Sequence, residues 1–171
     1  MEECYNDIKY YNLVYDIIND NEFKKIDNCV HHGISRFEHS CRVSYYSYKV
    51  SKILRLNYRE VARAGLLHDF FLSENITKKE KMKSMFVHSK KSLKNSEELF
   101  SLSEKEKDII YTHMFPLNIS RIPKYMESWI VSLIDKGVAT YEFGSTFKNK
   151  IILKYQNAMV MLLVIMGFFV K

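Results

Sequence analysis

Three copies of one helix-start pattern constrain the fold most strongly. In the pattern Ser/Thr-x-x-Glu, the hydroxyl and the carboxylate each accept a hydrogen bond from a backbone N–H that the first helical turn leaves without a partner. The chain carries this pattern at 35–38, 77–80 and 103–106. Proline and glycine, with 2 and 5 copies in 171 residues, are too scarce for a fold built on strands and tight turns. The sequence therefore predicts an all-α protein.

The spacing of apolar residues predicts a compact bundle of about six helices plus a C-terminal apolar helix. The predicted helices of the bundle cover residues 5–20, 35–54, 59–70, 89–100, 103–113 and 123–141. We expect an N-terminal helical segment at 1–30 that packs on the core, a main domain at 31–145, and the apolar helix at 146–171. Gly65 lies in a helix interior, where glycine costs about 1 kcal/mol relative to alanine, and this indicates a close helix crossing.

Charge and cysteine content narrow the function classes. The net charge of +6 suits an anionic ligand, but it is too small to predict nucleic-acid binding by itself. The three cysteines are an odd number without C-x-x-C spacing, which favours reduced thiols in the cytoplasm. The acidic N-terminus has no apolar stretch, so we expect no signal peptide.

The apolar C-terminal segment leaves two interpretations open. Its uninterrupted apolar run, Ala158 to Val170, is about 13 residues long, whereas crossing a bilayer takes roughly 20. We favour packing on the domain or on a second subunit in a homodimer. Membrane contact by this tail is the less favoured alternative.

Histidine and aspartate residues lie on the inward side of several predicted helices. The doublet His68-Asp69 is surrounded by the apolar residues of 61–72. A buried carboxylate beside a buried imidazole is costly unless both are paired or bind a cation. Four further candidates each come from a different helix or helix start: His39, His88, His113 and Asp135. Helical domains build metal sites from such inward-facing side chains, so the six residues predict a metal centre.

Carboxylate and imidazole ligands in this number suit two divalent ions held close together. Such ions polarise a phosphoryl oxygen and activate a water molecule. Asp69 is the natural bridging ligand because its carboxylate has two oxygens, and we expect Asp69 and His68 to be the catalytic residues. Pairing of Asp135 with Lys136 is an alternative that we disfavour, since helical neighbours point about 100° apart.

The order of these residues resembles the HD superfamily of metal-dependent phosphohydrolases. The matching contexts are Glu38-His39-Ser40, Gly65-Leu-Leu-His-Asp69 and Leu133-Ile-Asp135-Lys136, and His113-Met-Phe-Pro116 is similar to a run in small bacterial HD proteins. The resemblance covers about residues 30–145. It implies that His39, His68, Asp69 and Asp135 are the core metal ligands and that His88 and His113 complete a second metal position. Iron or manganese is the implied metal, with magnesium, cobalt, nickel or zinc as alternatives.

Substrate contacts are less constrained by the sequence. Many two-metal relatives place a lysine shortly after the doublet, but residues 70–77 contain none. We assign weaker substrate-binding roles to His32, Lys90, Lys91 and Arg121. The lysine-rich stretch 78–94 is either a solvated face or a lid that attracts a phosphorylated substrate.

These observations favour a cytoplasmic bacterial phosphohydrolase. Its reaction would be the cleavage of a phosphoester or phosphoanhydride, of a nucleotide, by a metal-activated water. The first alternative is a catalytically silent regulatory or ligand-binding module with the same fold. The second is a basic nucleic-acid-binding protein, which we do not expect; its binding would weaken steeply with salt and survive chelation.

Overall fold

The computed structural model describes the backbone of residues 2–31, 34–72 and 78–169. Side chains are described for residues 4–29, 34–72, 87–146 and 148. The fold is all-α, as predicted. Its helices in chain order are α1 Glu2–Asn6, α2 Ile8–Ile18, α3 Asn21–Lys24, a 3-10 turn Lys25–Asn28, α4 Arg36–Ile53, α5 Tyr58–Leu67, α6 Lys78–Leu99, α7 Glu104–Thr112 and α8 Met126–Phe169. The two-residue strands β1 Val30–His31 and β2 Ile34–Ser35 pair antiparallel just before α4.

Two of the predicted helix-start patterns lie within the described residues, and they differ in how far they form. Ser103 makes the full reciprocal box: its hydroxyl accepts from the Glu106 N–H at 3.1 Å, and Glu106 accepts from the Ser103 N–H at 2.8 Å. The Ser35 hydroxyl accepts from the Glu38 N–H at 3.1 Å, but the Glu38 carboxylate accepts from Arg42 instead. The box predicted at 77–80 includes Thr77, which lies outside the described residues.

Helix α4 is the centre of the bundle. It packs along α5 and also against α8, while α5 contacts α2 and α7 on its other sides. The core between these helices consists of fully buried apolar side chains, among them Tyr10, Ile17, Tyr48, Leu66 and Ile109. The start of α4 and the C-terminal end of α5 lie beside the first half of α8, where Asp135 is close to His39 and His68.

The predicted close crossing at Gly65 is confirmed. A Cβ atom added to Gly65 would lie 3.0 Å from the backbone Cα of Ser44 on α4. The Ser44 hydroxyl accepts from Tyr10 at 2.8 Å and donates to the Ala62 carbonyl of α5 at 2.6 Å. The crossing thus combines backbone contact with a buried polar bridge between helices.

Three predicted helix boundaries differ from the structure. Helix α5 ends at Leu67 rather than near residue 70, so His68 caps it and Asp69 lies in the following turn. Helix α6 begins at Lys78, well before residue 89. The predicted break between residue 141 and a separate C-terminal helix at 146 is wrong: α8 continues to Phe169, because the chain has no proline after Pro123 to interrupt it.

Within the described ranges, no helix combines the length and apolar character needed to cross a bilayer.

Replacing Gly65 with alanine tests the crossing. We expect Gly65→Ala to lower the free energy of unfolding by about 1–2 kcal/mol, because overpacking at the Ser44 backbone outweighs the gain in helix propensity. Gly137→Ala is the matched control. Apart from the backbone of its own helix, no described residue has an atom within 4 Å of an added Cβ there, so this substitution should raise stability by about 0.5–1 kcal/mol. Urea titration followed by circular dichroism measures both; equal effects would contradict the crossing argument.

Candidate metal centre

Five helices bring the six predicted ligands to one place. His39 lies in the first part of α4, His88 on α6 and Asp135 on α8. His68 and His113 cap the C-terminal ends of α5 and α7, and Asp69 follows His68 in a turn. His39, His68, His113 and Asp135 are buried, and Asp69 and His88 are mostly so. The structure therefore assembles every residue that the sequence nominated as a ligand, although their roles stay predictions.

The first group consists of His39, His68 and Asp135. The Asp135 Oδ1 atom lies 3.1 Å from His39 Nε2 and 3.7 Å from His68 Nε2. One ligand atom from each of the three residues lies within 4.8 Å of the other two. This spacing is compatible with a single cation between them.

The second group consists of Asp69, His88 and His113. The Asp69 Oδ1 atom lies 3.6 Å from His88 Nε2 and 3.7 Å from His113 Nε2, and the two imidazole nitrogens are 3.0 Å apart. The groups are neighbours, since the rings of His68 and His113 meet edge to face with centroids 5.0 Å apart. The doublet thus contributes His68 to the first group and Asp69 to the second.

Hydrogen bonds on Nδ1 orient three of the histidines. His68 and His113 lie next to the carbonyl oxygens three residues earlier in their own helices, Gly65 at 2.8 Å and Ile110 at 2.7 Å. His39 Nδ1 lies 2.8 Å from Glu142 Oε2. Because an Nδ1–H must donate to each of these acceptors, Nε2 is the nitrogen that each ring presents to its group. Metal-binding histidines are oriented in the same way.

Two observations indicate that the groups fit divalent cations. His68 Nε2 is buried and has no hydrogen-bond partner within the described part of the chain. An unpaired buried acceptor costs about 1–3 kcal/mol, which a bound cation would offset. In the second group, His113 Nε2 is an acceptor that forms a hydrogen bond with His88 Nε2 at 3.0 Å. A cation bound by both nitrogens would take the place of the shared proton.

The electrostatics keep the carboxylates charged. Burial would raise the pKa of Asp69, but the surrounding histidines and Arg36 lower it. Burial would also raise the pKa of Asp135, but the hydrogen bond from His39, the nearby His68 and the charge of Lys136 hold it well below its usual range. Ionised carboxylates are the form that binds metal.

Three of the histidines have shifted pKa values, and the shifts differ in direction. Burial lowers the pKa of His88 and lowers that of His113 further, so both rings are neutral near pH 7. Burial would lower the pKa of His39 too, but its hydrogen bonds to Asp135 and Glu142 raise it to about 10. A cation would therefore have to displace a proton from His39 on binding, whereas His88 and His113 are already in the ligand form.

Glu142 is a site residue that the sequence analysis missed. It is buried on α8, and its second oxygen accepts from Arg42 at 3.0 Å, while Arg42 also donates to Glu38. Glu142 lies seven residues after Asp135, and this spacing places both on one face of a helix. That periodicity could have identified it. The predicted helix, however, ended at residue 141, one position before Glu142.

Two positively charged side chains also reach the site. Arg36, at the start of α4, lies with Nε 3.9 Å from Asp69 Oδ2. Lys136 donates to Asp135 Oδ2 at 2.8 Å and to the His113 carbonyl oxygen. The expectation that Asp135 and Lys136 do not pair is therefore wrong, because the long lysine side chain spans the angle between neighbouring helix positions.

The predicted substrate contacts are placed unevenly. Lys90 and Lys91 are exposed on α6. Arg121 stacks on the Tyr111 ring at 4.4 Å and donates to Ser89, the neighbour of His88. His32 lies outside the described residues, as do the side chains of Lys78 to Lys83. None of these roles is decided by the positions of the side chains.

Comparison with known proteins agrees with this geometry. The family model of the HD domain matches residues 36–139, which is more than half of the chain and contains all six candidate ligands. No curated protein and no solved structure matches the chain. The matched span begins with α4 and ends in α8, just past Asp135. The chain therefore belongs to the HD domain family.

Proposed function

We propose that this protein is a metal-dependent phosphohydrolase that cleaves a phosphoester or phosphoanhydride of a nucleotide. The observation that carries the proposal is the division of the doublet between two adjacent groups of three ligands. Two such groups, each with two histidines and one carboxylate, provide two cation positions close enough to act on one phosphoryl group.

The residues that would hold the ions are those of the two groups. Iron or manganese suits the mixed imidazole and carboxylate ligands best, and magnesium, cobalt, nickel and zinc are the alternatives. When bound, such ions polarise a phosphoryl oxygen and make water a better nucleophile. Asp69 stays ionised and can accept a hydrogen bond from the attacking water, which orients it. His68, held by the Gly65 carbonyl, keeps Nε2 directed at the first group.

The substrate that we propose is a small phosphorylated molecule in the bacterial cytoplasm. The net charge of +6 and the two cations at the site, Arg36 and Lys136, favour an anionic ligand. A nucleic-acid partner is not part of the proposal, since the charge excess is too small to argue for one.

One observation favours a second candidate function. Residues 70–77 contain no lysine to contact a substrate phosphate by the route that many relatives use. A regulatory or ligand-binding module would keep the same metal groups without turnover. The two candidates differ in one measurement, which is hydrolysis by protein that has been shown to contain metal.

The first experiment is elemental analysis of the protein purified without a chelator or affinity tag. We expect about two metal ions per chain, and about one in both His88→Ala and His113→Ala, because each removes a ligand of the second group. Hydrolysis of nucleotides and of bis(p-nitrophenyl) phosphate should require the metal and stop on chelation.

The possible results separate the candidates. His88 is less buried than His113, so truncating His88 leaves a smaller cavity. Loss of metal in both variants would therefore reflect a lost ligand and not a disturbed core. Two ions without any hydrolysis would favour the silent module. No metal after reconstitution with iron and manganese would contradict the hydrolase proposal.

Glu142 provides a test of how the first group is supported. We expect Glu142→Gln to weaken metal binding about 10- to 100-fold, because it removes the carboxylate that orients His39. Glu127→Gln is the control: Glu127 is also buried on α8, but it pairs with Lys105 at 2.6 Å. Titration with Mn²⁺ followed by calorimetry measures both. Equal affinities in the two variants would show that Glu142 does not support the metal group.

A further inference from the structure

Arg36 is fixed in place beside the second group, where its guanidinium lies close to the Asp69 carboxylate without a hydrogen bond from Nε to it. The residue is 6% exposed. Its Nη1 donates to the Phe71 carbonyl oxygen, and its guanidinium lies 3.9 Å from the centroid of the Phe71 ring. That ring in turn stacks against the His88 imidazole, with centroids 5.3 Å apart and planes 20° from parallel. Phe71 thus lies in contact with both Arg36 and His88, a residue of the second group.

Among the described residues, the Nε–H of Arg36 has no hydrogen-bond acceptor. It lies 3.9 Å from Asp69 Oδ2, which is longer than a hydrogen bond. The Nε atom is nevertheless buried. Arginine stays protonated at every physiological pH, so this is a permanent buried charge with an unused donor. A buried donor without an acceptor is costly, and an anion with an oxygen close to Nε would supply that acceptor.

A cation in the second group would increase this imbalance. Asp69 is the one carboxylate of that group. A divalent ion bound to it would be neutralised by the same negative charge that now lies closest to Arg36 Nε. Arg36 and the ion would then repel each other across a few ångströms. A phosphate that contacts both would neutralise the two positive charges at once, and guanidinium matches phosphate oxygens in geometry.

We propose that Arg36 is a substrate-binding residue that donates a hydrogen bond from Nε to a phosphoryl oxygen of a ligand held at the second group. The inference rests on the proposed function, and it assigns the phosphate contact to the start of α4 rather than to the lysines of α6. The stack with Phe71 fixes the guanidinium before the ligand arrives, so little side-chain entropy is lost on binding.

The test is the binding of inorganic phosphate to the Mn²⁺-loaded protein, measured by calorimetry. Arg36→Gln should weaken phosphate binding about tenfold to hundredfold, the range for losing a hydrogen bond to a charged group. Its manganese content should equal that of the parent. Arg36→Lys, which keeps the charge but not the stacked fork, should weaken binding severalfold. Arg63→Gln is the matched control and should bind phosphate like the parent, because Arg63 pairs instead with Asp16 at 2.6 Å and Glu106 at 3.3 Å.

Each result decides between the claims. Unchanged phosphate affinity in Arg36→Gln, with a parent that binds both ligands, overturns the role of Arg36 and leaves the proposed function standing. Loss of manganese from Arg36→Gln also overturns it, since Arg36 would then only hold Asp69 in place. A parent that binds no manganese overturns the proposed function itself. If Arg36→Gln fails to fold, Arg36→Lys decides, and parent-like phosphate affinity in that variant overturns the assignment.

Discussion

The approach of α4 and α5 at Gly65 determines where the first group can form. A hydrogen in place of a side chain lets the two backbones meet at Ser44, so the end of α5 reaches the interior beside the start of α4. The carbonyl of the same glycine then orients His68. One residue therefore controls both the distance between two helices and the direction of the His68 ring, a candidate ligand. The ring centroids of His39 and His68 lie 5.5 Å apart.

The site concentrates charge where the surrounding medium screens it poorly. Asp69, Asp135 and Glu142 are largely buried, yet each has positively polarised or charged neighbours on more than one side. The Glu142 carboxylate connects His39 to Arg42, and Arg42 connects onward to Glu38, which is partly exposed. This chain of contacts runs from the buried ligand toward the surface, and it rests on two helices, α4 and α8. Such networks fix geometry more effectively than single pairs, because every member restrains the next.

The sequence patterns that nominated the candidate ligands are local, and the structure brings those side chains together. A histidine in an apolar helix or an acid embedded in an apolar run is visible in the sequence alone, and His39, His68 and Asp135 meet as expected. The Ser103 box formed fully for the same reason. The sequence analysis did not single out Arg36 and Glu142, because their contacts with the candidate ligands form only when α4, α8 and the turn after α5 come together. The ion pair between Lys136 and Asp135 depends on the flexible lysine side chain, whose reach the angle between helix positions does not describe. The length of α8 depends on the absence of helix-breaking residues, and such an absence is weaker evidence than the presence of a breaking residue.

The position of the doublet at a helix end has a mechanical consequence. His68 closes α5 and Asp69 begins the turn, so adjacent residues serve different groups. Consecutive Cα atoms are about 3.8 Å apart in a trans peptide. The peptide unit therefore fixes the distance between the Cα atoms of one residue from each group, and it limits how far the two groups can move apart. The main chain thus connects the two groups directly at the doublet, whereas the other four candidate ligands come from four separate helices.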